Sequence, residues 1–168
     1  MELQEIKQNL IETRVELFGI LNGLTGEQLN KRKDESSWSI AQVCQHLSKT
    51  EELYVLAIRT GLQSNEESLV GNKSLDFLLD RSQKIDAPEI AKPTDEYLQY
   101  QAIIERLNHS RQQLLELLNT IEDPSVLSKR HFKHPVFKEM LLIEWVQSIY
   151  MHEQRHIKQI HEMIDGFK

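Results

Sequence analysis

The chain has 168 residues, 39% hydrophobic and 27% charged, which is typical of one globular domain with a single substantial core. Its net charge of −6 argues against a nucleic-acid-binding surface, which needs clustered Lys and Arg. No apolar run approaches the roughly 18 residues of a membrane helix, and the acidic, amphipathic N-terminus is unlike a signal peptide. Together with the single cysteine, these features predict one cytoplasmic domain, residues 1–168, that binds neither nucleic acid nor membrane.

The first half of the chain contains the patterns of two long helices. In residues 2–22 the apolar positions recur at spacings of three, four and seven, and Gly23 is placed to end that helix. The second helix is predicted to begin after Ser39, where Gln42 can complete a capping box, and to run to about Thr60. The polar residues between the two helices are predicted to form a loop.

The second half contains two more helical patterns. The third helix is predicted to begin after Pro93 with Thr94 as its N-cap, and Pro124 follows its end. The fourth is predicted to run from near Phe137 to Ile164.

A long connection, Leu62–Pro93, separates the second helix from the third, and residues 74–83 within it are a candidate short helix. Short loops make neighbouring helices antiparallel, whereas a connection of this length can cross the bundle. Neither strand alternation nor an internal repeat is visible. The sequence therefore predicts an all-α fold, a four-helix bundle with a long crossover between helices 2 and 3.

Residues 152–156 read HEQRH, which matches the H-E-x-x-H pattern of zinc proteases. His152 and His156 lie about 40° apart on the apolar helix face, whereas Glu153 is rotated away by about a quarter turn. A zinc protease usually takes its third ligand from later in the chain, but only 12 residues follow His156, all in the same predicted helix. We therefore interpret the protease pattern as a coincidence.

His46 lies on the core-facing side of the second helix, so three histidines on two helices are predicted to point at one core. A shared metal ion would satisfy imidazoles that are costly to bury unpaired. The alternative, core histidines satisfied by ordinary hydrogen bonds, remains open from the residues alone. The other four histidines are expected on the surface or in loops: His109, His131, His134 and His161.

Four further residues near these histidines have specific expectations. Cys44 points away from His46 and is expected to be a buried, inert thiol. Gln42, Thr50 and Gln159 are candidates for hydrogen bonds that orient the histidines, although ordinary bundle packing explains them equally well.

Two stretches, WSIAQVCQHLSKTEELY and HPVFKEMLLIEWVQSIYMHEQRHIKQI, are similar to signatures of DinB-like (YfiT-like) proteins, and the resemblance covers nearly the whole chain. In that family the histidine of the first signature, here His46, is a metal ligand. The H-x-x-x-H pair of the second, here His152 and His156, supplies the other two. The family often has glycine after the phenylalanine of HPVF, where this chain has Lys138.

The resemblance implies an up-down-down-up four-helix bundle, a small-molecule substrate, frequent homodimers and a three-histidine site for a divalent metal, with zinc or nickel favoured. Characterised relatives include thiol-dependent S-transferases and isomerases that use bacillithiol, mycothiol or glutathione. We therefore expect a metal-binding protein that acts as a bacillithiol-type S-transferase, with no catalytic base assigned. A metal-dependent hydrolase and a non-catalytic metal-binding or stress-related protein are the alternatives.

Overall fold

The computed structural model describes residues 1–64, 67–82 and 84–167. Four long helices and one short helix dominate it: α1 (Leu3–Asn22), α2 (Gly26–Asn30), α3 (Ile40–Leu62), α4 (Tyr100–Asn119) and α5 (Leu142–Asp165). The remaining elements are 3-10 turns at Asp76–Leu79, Glu89–Ala91 and Pro124–Ser128 and the strands β1 (His131–His134) and β2 (Lys138–Leu141). Among these described residues, no helix combines the length and the apolar character needed to cross a bilayer.

Two core clusters show the directions of the long helices. One contains the first halves of α1 and α5 and the second halves of α3 and α4. The other contains the second halves of α1 and α5 and the first halves of α3 and α4. Helices α1 and α5 therefore run in one direction and α3 and α4 in the other, which confirms the predicted up-down-down-up bundle. Because α3 and α4 are parallel, the chain between them must travel the length of the bundle.

The start of α3 confirms the predicted capping box. The Ser39 hydroxyl accepts from the Gln42 backbone N–H at 3.1 Å, and the Gln42 side-chain oxygen accepts from the Ser39 N–H at 2.8 Å. The predicted start of the next long helix was wrong, because α4 begins at Tyr100. Thr94 instead donates its backbone N–H to the Gln45 side chain at 2.7 Å, which fastens the crossover to α3.

The predicted loop and the candidate short helix also differ from the structure. The polar stretch after α1 contains α2, which begins with a capping box between Thr25 and Gln28. The helix predicted over residues 74–83 is a single 3-10 turn, Asp76–Leu79, and Gln83 lies outside the described residues.

The segment before α5 is an antiparallel hairpin in which β1 pairs with β2, so the expectation of no strands was wrong, as was a helix start near Phe137. Neither HFKH nor KEML alternates strictly between apolar and polar residues, so the sequence carries no strand pattern there. Lys138, which pairs with His134, has φ 61°, in the left-handed region that favours glycine. This is the position where the family resemblance leads us to expect glycine, and Lys138 adopts the left-handed conformation there.

Four charged side chains, one from each long helix, meet in the centre of the bundle. The Glu153 carboxylate pairs with Arg14 at 2.7 Å and with Arg111 at 2.6 Å, and Arg111 also pairs with Glu51 at 2.9 Å. All four residues are buried. Both guanidinium groups also donate to backbone carbonyl oxygens of neighbouring helices. We call these four residues the ionic cluster; two positive and two negative charges balance within it.

We predict that Glu153→Ala lowers the free energy of unfolding by about 3–5 kcal/mol, because it leaves buried guanidinium charge uncompensated. Urea unfolding followed by circular dichroism measures the change. The control is Glu116→Ala, which removes an exposed carboxylate of α4 that accepts from the Gln112 side chain, and its expected effect is within about 0.5 kcal/mol. Similar small losses in both variants would contradict the structural role of the ionic cluster.

Candidate metal centre

Helices α3 and α5 bring together the three histidines that the sequence singles out. Nε2 of His152 lies 3.1 Å from Nε2 of His46 and 3.1 Å from Nε2 of His156. One ring nitrogen from each residue lies within 4.8 Å of the other two. His152 and His156 are one turn apart on α5, and His46 faces them from the first half of α3.

Two of the three nitrogen separations fit a shared divalent metal ion. Two nitrogens that each lie about 2.1 Å from one metal are about 3.0 Å apart at a right angle and about 3.4 Å apart in a tetrahedral site. The two measured separations of 3.1 Å fall within this range. Three imidazoles would also leave coordination positions for water or a substrate.

The hydrogen bonds of the outward-facing ring nitrogens determine which nitrogen carries the proton. Nδ1 of His46 lies 2.8 Å from the carbonyl oxygen of Ala91, and Nδ1 of His156 lies 2.6 Å from Oε1 of Gln159. Because oxygen acceptors face both Nδ1 atoms, these atoms carry the protons, and the Nε2 lone pairs point toward His152. Two lone pairs converge on a third ring nitrogen, an arrangement that a bound cation stabilises.

Burial keeps all three imidazoles neutral. It lowers the pKa of His46, and together with the neighbouring His46 it lowers the pKa of His156 to about 3. The pKa of His152 lies well below its usual value, first because of burial and then because of the other two histidines. At neutral pH the lone pairs that a metal requires are therefore available.

Of the three residues considered as partners of the histidines, Gln159 makes the clearest contact, through Nδ1 of His156. The Thr50 hydroxyl lies 3.5 Å from Nδ1 of His46, at the limit of a hydrogen bond. The expectation for Gln42 was wrong, because its side chain caps α3 and donates to the carbonyl oxygen of Thr94.

Glu153 does not occupy the position of a protease base. Both of its carboxylate oxygens are paired with guanidinium groups of the ionic cluster, at 2.7 and 2.6 Å. It points into the bundle centre while the flanking His152 and His156 converge with His46 on α3. The glutamate and the two histidines of HEQRH therefore belong to two different sites, as the quarter-turn rotation of Glu153 away from the histidines predicts.

His134 was expected on the surface or in a loop, and the structure shows that its burial was missed. Its Nδ1 accepts from the backbone N–H groups of Val136 and Phe137 at 3.0 and 3.2 Å. Its proton therefore lies on Nε2, which is 2.8 Å from the Tyr54 hydroxyl oxygen. Burial lowers the pKa of His134 to about 4. The other three are exposed as expected: His109, His131 and His161.

The three histidines line an open cavity of about 1590 Å³ between α3, α5, the hairpin and the crossover. Tyr54 and His134 form part of the same wall. Cys44 is buried outside this lining, and burial raises the pKa of its thiol to about 12, which keeps it protonated and unreactive. The cavity is large enough for a small molecule to reach the histidine cluster.

Solved structures share this arrangement of helices. TT2238, described as a four-helix bundle protein, aligns with a TM-score of 0.63 and 19% identity over 95% of this chain and 98% of its own. YfiT from Bacillus subtilis, described as a probable metal-dependent hydrolase with an unusual four-helix bundle topology, aligns with a TM-score of 0.66 and 18% identity. That alignment covers 98% of this chain and 86% of YfiT. At these identities the likeness shows the fold alone.

Sequence comparison finds both a relative and a matching family model. The uncharacterized protein YuaE of Bacillus subtilis strain 168 is 28% identical over 152 residues, which are 90% of this chain and 93% of YuaE. The family model of the DinB superfamily matches residues 9–160, a range that includes His46, His152 and His156. The chain therefore belongs to the DinB superfamily.

Proposed function

We propose that the protein binds one divalent metal ion through Nε2 of His46, His152 and His156 and acts as a thiol-dependent S-transferase of the bacillithiol type. The observation that carries the metal site is that Nε2 of His152 lies 3.1 Å from Nε2 of both other histidines, whose Nδ1 protons are directed to outer acceptors. Neutral imidazoles suit both zinc and nickel.

A divalent ion in this site would supply Lewis acidity that lowers the pKa of a cosubstrate thiol. The chain's own residues orient the site. Ala91 and Gln159 hold the rings of His46 and His156 through their Nδ1 protons, and such outer hydrogen bonds raise the basicity of the ligating nitrogen. In conjugation to a chlorinated electrophile, the cosubstrate sulfur forms a bond to carbon, chloride leaves and the thiol proton goes to solvent.

No protein thiol takes part in this proposal. Cys44 is 1% exposed and packs in the core cluster of the α3 N-terminal half. Its raised pKa means that the thiolate, the nucleophilic form, is scarce at physiological pH. The attacking sulfur must therefore come from a small molecule in the cavity.

Metal-dependent hydrolysis is the second candidate. The description of YfiT as a probable metal-dependent hydrolase favours it, because the two proteins share a fold over most of both chains. The same three histidines would serve either reaction, so thiol dependence is the property that separates the two functions.

We predict that His152→Ala loses bound metal, because two remaining histidines form an incomplete site. Metal analysis of the purified protein is expected to give about one divalent ion per chain for wild type and less than about a tenth of that for the variant. The control is His161→Ala, an exposed histidine on the same helix, with unchanged metal content. Wild-type metal content in His152→Ala would refute the site.

The second prediction concerns the attacking thiol. Metal-loaded wild type is expected to conjugate at least one of bacillithiol, mycothiol and glutathione to monochlorobimane. His156→Ala is expected to lose this activity, whereas Cys44→Ala keeps it, with a stability loss of at most ~1 kcal/mol from a small cavity. Fluorescence of the conjugate measures the rate.

Loss of conjugation in Cys44→Ala, with metal content intact, would contradict a cosubstrate thiol as nucleophile. If no thiol is conjugated, a panel of ester and amide substrates distinguishes the remaining functions. Metal-dependent cleavage that His156→Ala abolishes would establish the hydrolase, and inactivity toward both panels would favour a non-catalytic metal-binding protein.

A further inference from the structure

The cavity beside the histidines has a charge opposite to that of the whole chain. Acidic residues outnumber Lys and Arg by 26 to 20 in the sequence. Among the described residues that line the cavity, however, eight are Lys or Arg and only Asp86 and Glu162 are acidic. Low-dielectric walls strengthen the field of such an excess and attract anions. The cavity is therefore suited to a ligand with negative charge.

Arg81, in the crossover, has the clearest unused donor in this lining. Its Nη2 lies 3.2 Å from Oε2 of Glu162, an ion pair whose carboxylate side chain is 60% exposed. Its Nε is buried and has no hydrogen-bond acceptor within residues 1–64, 67–82 and 84–167. A buried N–H without an acceptor costs about 1–3 kcal/mol. A carboxylate or phosphate oxygen of a ligand would satisfy this donor, and the planar guanidinium fork suits both groups.

Arg155 adds a second guanidinium group near the first. Its Nη1 donates to the carbonyl oxygens of Leu78 and Asp80 at 3.2 and 2.8 Å, which holds the segment that carries Arg81 against α5. Asp80 directly precedes Arg81 in the chain, and both arginines line the cavity. Two like charges are thus held within electrostatic reach, and an anion bound beside them would relieve their repulsion.

The contact of Arg81 with α5 shows where the subsite lies relative to the histidines. Its partner Glu162 lies six residues after His156 on α5. At about 1.5 Å per residue, the two positions are about 9 Å apart along the helix axis. A ligand that reaches both the histidines and Arg81 therefore lies along this part of α5.

We propose that Arg81, with Arg155 beside it, forms an anion-binding subsite for a carboxylate or phosphate group of the cosubstrate. The identity of the ligand as a thiol whose sulfur reaches the histidines rests on the proposed function. Anion binding by Arg81 does not depend on it and can be measured without metal.

The first experiment is calorimetric titration of the metal-free, full-length protein with succinate, inorganic phosphate and the neutral analogue succinamide. Succinate or phosphate is expected to bind at least about fivefold more tightly than succinamide, because guanidinium groups bind oxyanions through charge-assisted hydrogen bonds. The tighter of the two anions identifies the group that the subsite takes. Equal binding of succinate and succinamide, with no phosphate binding, would overturn the proposal.

The matched variants are Arg81→Gln and Arg59→Gln, because Arg59 is an exposed residue of α3 that does not line the cavity. Arg81→Gln is expected to weaken binding of the preferred anion at least about fivefold, whereas Arg59→Gln, with the same change of net charge, leaves it within about twofold. Circular dichroism checks that both variants fold, and Arg81→Lys, which keeps the charge but loses the fork, is expected to be intermediate. Wild-type affinity in Arg81→Gln would overturn the assignment.

A titration of zinc-loaded protein with glutathione and glutathione diethyl ester tests the link to the histidines. Arg81→Gln is expected to weaken the binding of glutathione at least about fivefold. The affinity for the ester, which lacks the carboxylates, is expected to stay within about twofold of wild type. Equal weakening of both would show that Arg81 acts on packing and not on the anion. Failure of every thiol conjugation with intact anion binding would overturn the proposed transferase and leave this subsite standing.

Discussion

The ionic cluster in the bundle centre is the constraint on which the site depends. Each of the four long helices contributes one of the cluster's four buried charges. A rotation or shift of any helix would therefore leave a charge without its partner. Glu153 carries this constraint on α5. Because it is fixed toward Arg14 and Arg111, the flanking His152 and His156 are turned toward α3. The orientation of the two α5 histidines thus depends on a neighbouring set of buried charges.

The same constraint explains why HEQRH has the pattern of a zinc protease without its arrangement. On a helix, i and i+4 place two histidines on one face, whatever lies between them. The glutamate between them lies on a different face of the helix, and its role depends on the residues that this face contacts. Here Glu153 meets two arginines in the core. The third histidine, His46, comes from earlier in the chain, where no protease pattern would place it.

The sequence predicts a structural feature correctly where the interaction that causes it joins neighbouring residues. Helix periodicity and the Ser39–Gln42 capping box involve neighbouring residues, and the structure confirms them. The start of α4 was mispredicted because Thr94 bonds to Gln45, 49 positions away, in place of capping a helix. His134 was missed for the same reason, since its burial depends on a hairpin of short strands and on Tyr54. The three-histidine cluster was predictable because helix geometry and a family resemblance both indicate it.

The topology itself supplies the cavity beside the histidines. Because α3 and α4 are parallel, the crossover must run along the bundle, and it does so over the open side of the histidine cluster. Its Ala91 carbonyl oxygen accepts the Nδ1 proton of His46, so the same segment that covers the site also orients one of its rings. Arg81 lies earlier in this crossover, whereas His46, His152 and His156 lie on the helices. Substitutions in the crossover can therefore change the lining of the cavity while the helices keep the histidines in place.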